Sequence, residues 1–128
     1  MATDHMNDCE LCRLDQVLFE ESEAYVRYDN NSLSRGHVLV VPRRHVASFF
    51  DMSGAEKARV LELLDRAQAY IQAEFRPDGY NIGVNVGRAA GQSRMHVHVH
   101  LIPRYTGDVA DPRGGIRCVL ANRAASSH

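Results

Sequence analysis

Residues 94–104 of the chain read RMHVHVHLIPR, with a histidine at every second position from His96 to His100. Successive side chains of a β-strand point to opposite faces of the sheet, so this alternation predicts a strand over residues 95–102 that Pro103 ends. The three histidines would then share one face, about 7 Å apart at each step. The opposite face would carry the aliphatic residues that anchor the strand in the core, Val97, Val99 and Leu101.

Other stretches predict three more strands and one long helix. Alternating or β-branched runs occupy residues 24–29, 37–41 and 80–86. Ser53 and Glu56 have the spacing of a capping box, so a helix is expected to begin there. Its apolar residues recur every three or four positions, as in an amphipathic helix whose buried face consists of Val60, Leu64, Ala67, Ile71 and Phe75.

The order of these elements predicts the fold class. Pro77 and Gly79 are expected to end the helix. One long helix among short strands predicts an α+β fold, in which the helix covers one face of an antiparallel sheet. The 128 residues, of which 45% are hydrophobic and 24% charged, fit a single domain over residues 1–128, with residues 1–7 and 122–128 as loose tails.

Charge and hydropathy argue against several classes of function. The formal net charge of -1 is unlike that of a protein whose main task is to bind nucleic acid, and Arg43-Arg44 is too short for a basic patch. No apolar run approaches the roughly 20 residues of a membrane span. The polar N-terminus does not resemble a signal peptide, so a cytoplasmic location is expected.

By themselves, three alternating histidines have more than one interpretation. Polar residues can lie by chance on an exposed edge strand, and His-x-His on a strand can chelate zinc or copper. The catalytic interpretation is favoured by the Gly91-Gln92-Ser93 loop directly before the strand, by Asn85 and by a distant His37.

Two segments of the chain resemble the histidine-triad (HIT) nucleotide hydrolases and transferases. Residues 85–104, NVGRAAGQSRMHVHVHLIPR, contain the family's triad after Gly-Gln-Ser, and residues 34–46, SRGHVLVVPRRHV, are similar to its Gly-His segment. With CELC at residues 9–12, the resemblance extends to about Arg104. It implies a HIT-like fold of about five antiparallel strands covered by one long helix. It also implies a reaction at the α-phosphorus of a purine nucleotide.

The resemblance implies a role for each residue of a nucleotide site. His98 would attack the α-phosphorus and form a nucleotidyl-histidine intermediate, since imidazole is substantially unprotonated near pH 7. His37 and His100 would contact the α-phosphate oxygens, and no cofactor would be required. The other implied contacts are Gln92 to the bridging atom and the water, Ser93 to the phosphate and leaving group, Asn85 to the phosphate, and Asp29 to the ribose hydroxyls.

The Cys9-x-x-Cys12 spacing is a weak zinc signal on its own, and reduced thiols are the alternative. Some bacterial HIT proteins pair such cysteines with the histidine after the proline segment and with the first triad histidine, which implies His45 and His96 here. The four would form a closed Cys₂His₂ site that is structural, because no coordination position remains for water. On this resemblance His96 belongs to zinc, whereas His98 belongs to the nucleotide.

The sequence leaves the substrate and the roles of several residues open. A nucleoside monophosphate could be released from a dinucleoside polyphosphate or from a nucleoside phosphoramidate such as adenosine 5'-phosphoramidate. A non-enzymatic nucleotide-binding protein and a metal-binding module built from the triad are the alternatives. The resemblance implies a homodimer that packs through the long helix and a strand. Arg35 stands where many relatives have proline, and no role is assigned to Arg35, Arg113, Arg117 or Cys118.

Overall fold

The computed structural model describes residues 9–120, so the predicted loose tails 1–7 and 122–128 lie outside it. Its single antiparallel sheet consists of β1 (Val17–Glu20), β2 (Ala24–Tyr28), β3 (Val38–Pro42), β4 (Gly79–Val84) and β5 (Val99–Arg104). The strand order is β1-β2-β3-β5-β4, and helix α1 (Gly54–Phe75) packs on one face. The predicted α+β fold is therefore confirmed.

Helix α1 begins and ends as its local sequence requires. The Glu56 N–H donates to Ser53 Oγ at 3.0 Å and the Ser53 N–H donates to the Glu56 carboxylate at 2.8 Å, so the predicted capping box is present. Arg76 ends the helix in a left-handed conformation. The buried face comprises Val60, Leu63, Ala67 and Ile71, with Leu64 and Phe75 partly buried beside them. Within residues 9–120, no helix has both the length and the apolar character needed to cross a membrane.

The main core lies between α1 and the sheet. Alternate residues of the three central strands point toward the helix, namely Ala24, Val26, Val38, Val40, Val99 and Leu101. None of these side chains is more than 7% exposed. Because apolar side chains occupy this face, the polar side chains of the same strands lie on the opposite face of the sheet.

Gly36 lets the chain enter β3 close to the end of α1. Its φ of +85° favours glycine, and a Cβ at this position would lie 2.9 Å from Cδ2 of Phe75. The close approach fixes the position of His37, the next residue.

The N-terminal segment covers part of the opposite face. Leu11 packs with Tyr25, Leu39 and Val41 in a second buried cluster. The Tyr25 hydroxyl donates to the Leu11 carbonyl oxygen at 2.7 Å. Burial raises the pKa of Tyr25 to about 12, so this hydroxyl keeps its proton at neutral pH. These contacts hold the Cys-x-x-Cys segment on the sheet.

The predicted strand over residues 95–102 is wrong at both ends. β5 begins only at Val99, because the Val97 N–H donates to the Val46 carbonyl oxygen at 2.7 Å, beside the loop after β3. Pro103 lies inside β5, and Ser34 Oγ donates to its carbonyl oxygen at 2.6 Å. The backbone nitrogen of Pro103 points to the same side as this carbonyl, toward the segment before β3. No hydrogen bond of the sheet requires an N–H there.

The remaining differences concern shorter elements. The other three predicted strands are confirmed to within two residues at each end. β1 is not among the strands predicted from the residues. It is four residues long, and its pairing register with β2 shifts between Val17 and Phe19. A short, irregular edge strand leaves little alternation in the sequence.

Candidate active site and metal cluster

One row of paired residues crosses the sheet on the face opposite α1. Arg27 of β2 is paired with Leu39 of β3, and Leu39 is paired with His100 of β5. All three line a pocket together with the N-terminal segment and the loops before β3 and β5. The lining also contains predicted nucleotide-site residues from those loops and from the end of β4, namely Asp29, Asn85, Gln92, Ser93 and His98.

His37 and His100 form a hydrogen-bonded pair beside this pocket. The Leu33 N–H donates to His37 Nδ1 at 3.0 Å, which assigns the proton of neutral His37 to Nε2. That atom lies 3.0 Å from His100 Nδ1 and 3.3 Å from Asp29 Oδ2. His100 Nδ1 therefore accepts, and the proton of His100 is on Nε2.

Both rings of this pair are neutral at neutral pH. Burial lowers the pKa of His37 below its usual 6.5, and the nearby Asp29 opposes this only in part. Burial, reinforced by His98 and His37, lowers the pKa of His100 to about 4. The pair can thus donate a hydrogen bond without adding a positive charge.

His98 lies directly before β5, and a backbone contact assigns its tautomer. Its Nδ1 is 3.0 Å from the carbonyl oxygen of His96, which can only accept, so Nδ1 carries the proton. The lone pair is then on Nε2. The ring centroids of His98 and His100 are 5.0 Å apart, and both residues line the pocket. In their neutral forms, a ring with a free nitrogen lone pair and a ring with an N–H donor are therefore neighbours.

Gln92 is 4% exposed, and backbone groups engage its amide. Its Oε1 accepts from the Gly87 N–H at 2.8 Å, and its Nε2 donates to the carbonyl oxygens of Ala47 and Arg94 at 2.8 and 3.0 Å. The side chain thereby holds the loop that carries Ser93 into the pocket lining.

A second cluster consists of Cys9, Cys12, His45 and His96, whose ligand atoms all lie within 4.8 Å of one another. Sγ of Cys12 is 3.1 Å from Nδ1 of His45 and 3.5 Å from Nδ1 of His96, and Sγ of Cys9 is 3.4 Å from the latter. Sulfur and nitrogen ligands of a tetrahedral zinc ion lie about 3.6 Å apart at ordinary bond lengths. The observed spacing therefore fits a metal ion.

The surroundings of this cluster also fit a metal. His96 Nε2 lies 2.7 Å from the Pro42 carbonyl oxygen, so Nε2 carries the proton and Nδ1 is the ligand atom. Burial lowers the pKa of His96 to about 4. Burial and the neighbouring Cys9 raise the pKa of Cys12 to about 11. A bound cation would offset the cost of a buried thiolate.

The structure divides the triad between the two clusters. The His96 ring is 5.0 Å from that of His45, on the metal side, whereas His98 and His100 line the pocket. The predicted alternation is present, because Val97, Val99 and Leu101 all lie in the core beneath α1 and the three histidines lie on the other face, although β5 itself begins only at Val99. Within residues 9–120, His98 belongs to neither group of clustered metal-ligating side chains. The geometry therefore does not favour a metal module built from the whole triad.

The sequence interpretation missed the polar end of the pocket, which Glu10, Arg27, Asn30 and Arg94 form. Glu10 Oε2 lies 3.4 Å from Arg27 Nη2, and Glu10 Oε1 lies 2.7 Å from Arg94 Nη2. Arg27 is 1% exposed, and its Nη1 has no hydrogen-bond partner among residues 9–120. The alternation of residues 24–29 contained the signal, because it places a charged residue on the same face as Tyr25.

The residues without an assigned role do not line this pocket. The Arg35 guanidinium lies 4.9 Å from the ring centroid of Tyr105, whose hydroxyl donates to the Arg35 carbonyl oxygen. Arg113 pairs with Asp111 at 2.9 Å, and Cys118 Sγ donates to the Arg113 carbonyl oxygen. The Arg35 guanidinium is therefore stacked on aromatic rings outside the pocket lining.

Comparisons with known sequences place the chain in a family. The HIT domain matches residues 13–107. An uncharacterized HIT-like protein of Methanocaldococcus jannaschii is 38% identical over 93 residues, which are 73% of this chain and 71% of that protein. AP-4-A phosphorylase of Mycobacterium tuberculosis is 40% identical over 74 residues, which are 57% of this chain but only 38% of the phosphorylase.

Solved structures are similar over comparable lengths. A HIT family protein from Bacillus anthracis has a TM-score of 0.74 at 30% identity, covering 77% of this chain and 74% of its own. A Zn-bound histidine triad family protein from Mycobacterium smegmatis has a TM-score of 0.74 at 27% identity, covering 82% and 81%. The HIT-like arrangement of one long helix on a five-stranded sheet is confirmed. Because the matched domain spans well over half of the chain, this protein belongs to the HIT family.

Proposed function

We propose that this protein is a nucleotide hydrolase that breaks a bond at the α-phosphorus of a purine nucleotide and releases a nucleoside monophosphate. Family membership and the similarity to AP-4-A phosphorylase support a nucleotide hydrolase or transferase. The observation that carries the proposal is the contact of His98 Nδ1 with the His96 carbonyl oxygen. In the neutral ring this contact places the lone pair on Nε2 of a residue that lines the pocket.

Two displacements at phosphorus account for the reaction. The lone pair of His98 Nε2 attacks the α-phosphorus, and the bond to the leaving group breaks with its electron pair, after which the leaving group takes up a proton. Water then attacks the phosphorus of the nucleotidyl-histidine. The P–N bond breaks, the water gives its proton to the solvent, and His98 regains its lone pair, so no cofactor is consumed.

The neighbouring residues serve the phosphate and the ribose. The Nε2–H of neutral His100 donates to a non-bridging phosphate oxygen as charge develops there. The resemblance also implies a phosphate contact for His37, but this residue is 1% exposed and both of its ring nitrogens are engaged, so its role is to keep His100 in that tautomer. The Asp29 carboxylate has acceptor positions left for the ribose hydroxyls. The remaining roles are those of Ser93 and Asn85 at the phosphate and leaving group. Because both N–H groups of the Gln92 amide donate to backbone carbonyl oxygens, Gln92 can serve the bridging atom or the water only through the remaining lone pair of Oε1.

Turnover of adenosine 5'-phosphoramidate and of a diadenosine polyphosphate tests the proposal. The protein is expected to release AMP, and the ratio of kcat/KM for the two substrates assigns the substrate class. His98→Asn is expected to lower kcat by about 10³-fold or more while nucleotide binding persists. Binding of nucleotide without any release of AMP by the unmodified protein would favour the non-enzymatic alternative.

We also propose that Cys9, Cys12, His45 and His96 hold a structural zinc ion. Four protein ligands close the coordination shell, so the ion would join the N-terminal segment to the sheet. The Zn-bound relative supports the choice of metal. Elemental analysis is expected to find zinc in the unmodified protein and in His98→Asn, but not in Cys9→Ser. Unchanged zinc in Cys9→Ser would discard this site.

We further propose a homodimer that packs through α1 and β4. β4 lies at an edge of the sheet, and Ile82 on this strand is 50% exposed, while Leu61 on α1 is 59% exposed. Pairing of two β4 edges would join two sheets into one. Light scattering is expected to give twice the chain mass, and a monomer mass at micromolar concentration would overturn this proposal.

A further inference from the structure

The polar end of the pocket has no part in the reaction at phosphorus. Its residues, Glu10, Arg27, Asn30 and Arg94, line the same pocket as His98 and His100, and Leu11 and Leu39 add apolar surface beside them. A charged pair in the wall of a ligand pocket indicates specificity for part of the ligand.

The position of this end matches the base of a bound nucleotide. Arg27 and His100 are two strands apart in one row, with Leu39 between them. Neighbouring strands lie about 4.8 Å apart, so the Cα atoms of the two outer residues are separated by about 10 Å. A nucleotide with its phosphate at His100 and its ribose at Asp29 would extend its base over Leu39 toward Arg27.

The polar end of the pocket places the Glu10 carboxylate, an acceptor of fixed orientation, beside the buried guanidinium of Arg27, a donor. The Glu10 carboxylate lies between Arg27 Nη2 at 3.4 Å and Arg94 Nη2 at 2.7 Å, and Asn30 Nδ2 also donates to it. Arg27 is 1% exposed, and its Nη1 lacks a partner among residues 9–120. The carboxylate is therefore oriented before a ligand arrives, and the guanidinium has a donor that a ligand acceptor could engage.

Of the two purines, guanine is complementary to this pair. Its N1–H and 2-amino group are adjacent donors, which a carboxylate accepts, and its O6 and N7 accept from arginine. Adenine has an unprotonated N1 where guanine has N1–H, so its lone pair would face the lone pairs of the carboxylate.

We propose that Glu10 and Arg27 recognise the base and make guanine the preferred base of the substrate. Leu11 and Leu39 contact the face of the base, and Asn30 and Arg94 hold the carboxylate. This inference rests on the proposed function, because the positions of the phosphate and the ribose are taken from it.

Calorimetric titration of the full chain with GMP, IMP and AMP tests base recognition without requiring turnover. GMP is expected to bind at least about tenfold more tightly than AMP, with IMP, which lacks the 2-amino group, in between. Glu10→Gln is expected to reduce the GMP preference to about threefold or less, because an amide offers a single acceptor oxygen. Its zinc content checks that the Cys-x-x-Cys loop is intact.

The matched control is Glu20→Gln. It removes an exposed carboxylate that pairs with Arg43 at 2.9 Å outside the pocket, so the preference for GMP is expected to remain. Equal affinities for GMP and AMP, or an unchanged preference in Glu10→Gln, would overturn base recognition and leave the proposed function intact. Failure of all three nucleotides to bind, together with an absence of turnover, would overturn both.

Discussion

The two histidine pairs of this protein, His45 with His96 and His37 with His100, differ in their partners and not in their spacing. Their ring centroids are 5.0 and 5.2 Å apart. The first pair meets the thiols of two cysteines, whereas the second meets a carboxylate and a backbone N–H. The same side chain thus suits a metal in one place and a phosphate in the other.

Backbone acceptors decide which imidazole nitrogen is available in each cluster. The Nε2–H of His96 donates a hydrogen bond to the Pro42 carbonyl oxygen, so Nδ1 is available to the metal cluster. The Nδ1–H of His98 donates a hydrogen bond to the His96 carbonyl oxygen, so Nε2 is available to the pocket. His96 therefore links the two clusters, because its ring belongs to one and its carbonyl orients a residue of the other.

Removing a ligand of the metal cluster is expected to have the largest effect. Cys12→Ser should lose the metal and lower the melting temperature by about 10 °C or more, because the N-terminal segment is no longer joined to the sheet. Scanning calorimetry and elemental analysis measure both effects. The matched control is Cys118→Ser, at an exposed cysteine outside the cluster, which should change neither. Equal melting temperatures for the two variants would contradict a structural metal.

The next largest effect is expected on the other histidine pair. His37→Asn removes the group that holds His100 in its tautomer, and kcat should fall by about 10²-fold with the zinc content unchanged. Steady-state kinetics and elemental analysis on the same preparation separate the two clusters. Loss of zinc together with activity would show that the clusters are not independent.

A smaller effect is expected on the pH dependence of stability. The pKa of His100 is about 4 in the folded protein and that of His37 is also lowered, against about 6.5 in an unfolded chain. The unfolded state takes up protons first, so stability should be complete above pH 6.5 and fall as the pH decreases toward 4. The slope is at most about 1.4 kcal/mol per pH unit for each group. Urea unfolding between pH 7.5 and 5 should show a shallower decrease for His100→Asn, and parallel curves would contradict this origin.

The smallest effect is expected beneath the metal cluster. Tyr25→Phe removes the hydroxyl that donates to the Leu11 carbonyl oxygen, at a cost of about 1 kcal/mol in the free energy of unfolding. Chelator competition should show faster loss of metal, while kcat stays within about twofold. A large decrease in kcat would mean that the N-terminal segment supports the histidines of the pocket directly.

The sequence was sufficient where local chemistry determines the structure. The capping box of Ser53 and Glu56 placed the start of α1, and the helical spacing of Val60 and Ile71 placed its buried face. The strand around the triad was predicted less well, because a non-local hydrogen bond to the Val46 carbonyl oxygen delays its start.

The candidate site, too, could be predicted only in part from the sequence. The family resemblance grouped the metal and nucleotide residues, but Glu10 and Arg27 could not be paired from the sequence alone. They are 17 residues apart and meet only because the N-terminal segment lies across the sheet. The tautomers of His98 and His100 likewise depend on backbone atoms whose positions no sequence pattern gives.

The proposed reaction depends on a covalent bond between His98 Nε2 and the α-phosphorus. The most direct measurement is intact-protein mass spectrometry after rapid quenching of the protein with a nucleoside 5'-phosphoramidate, followed by mapping of the modified peptide. We expect a mass increase of one nucleotidyl group on His98 that appears and decays within the turnover time and is absent in His98→Asn. Turnover with no adduct at any time, or an adduct on another residue, would contradict it.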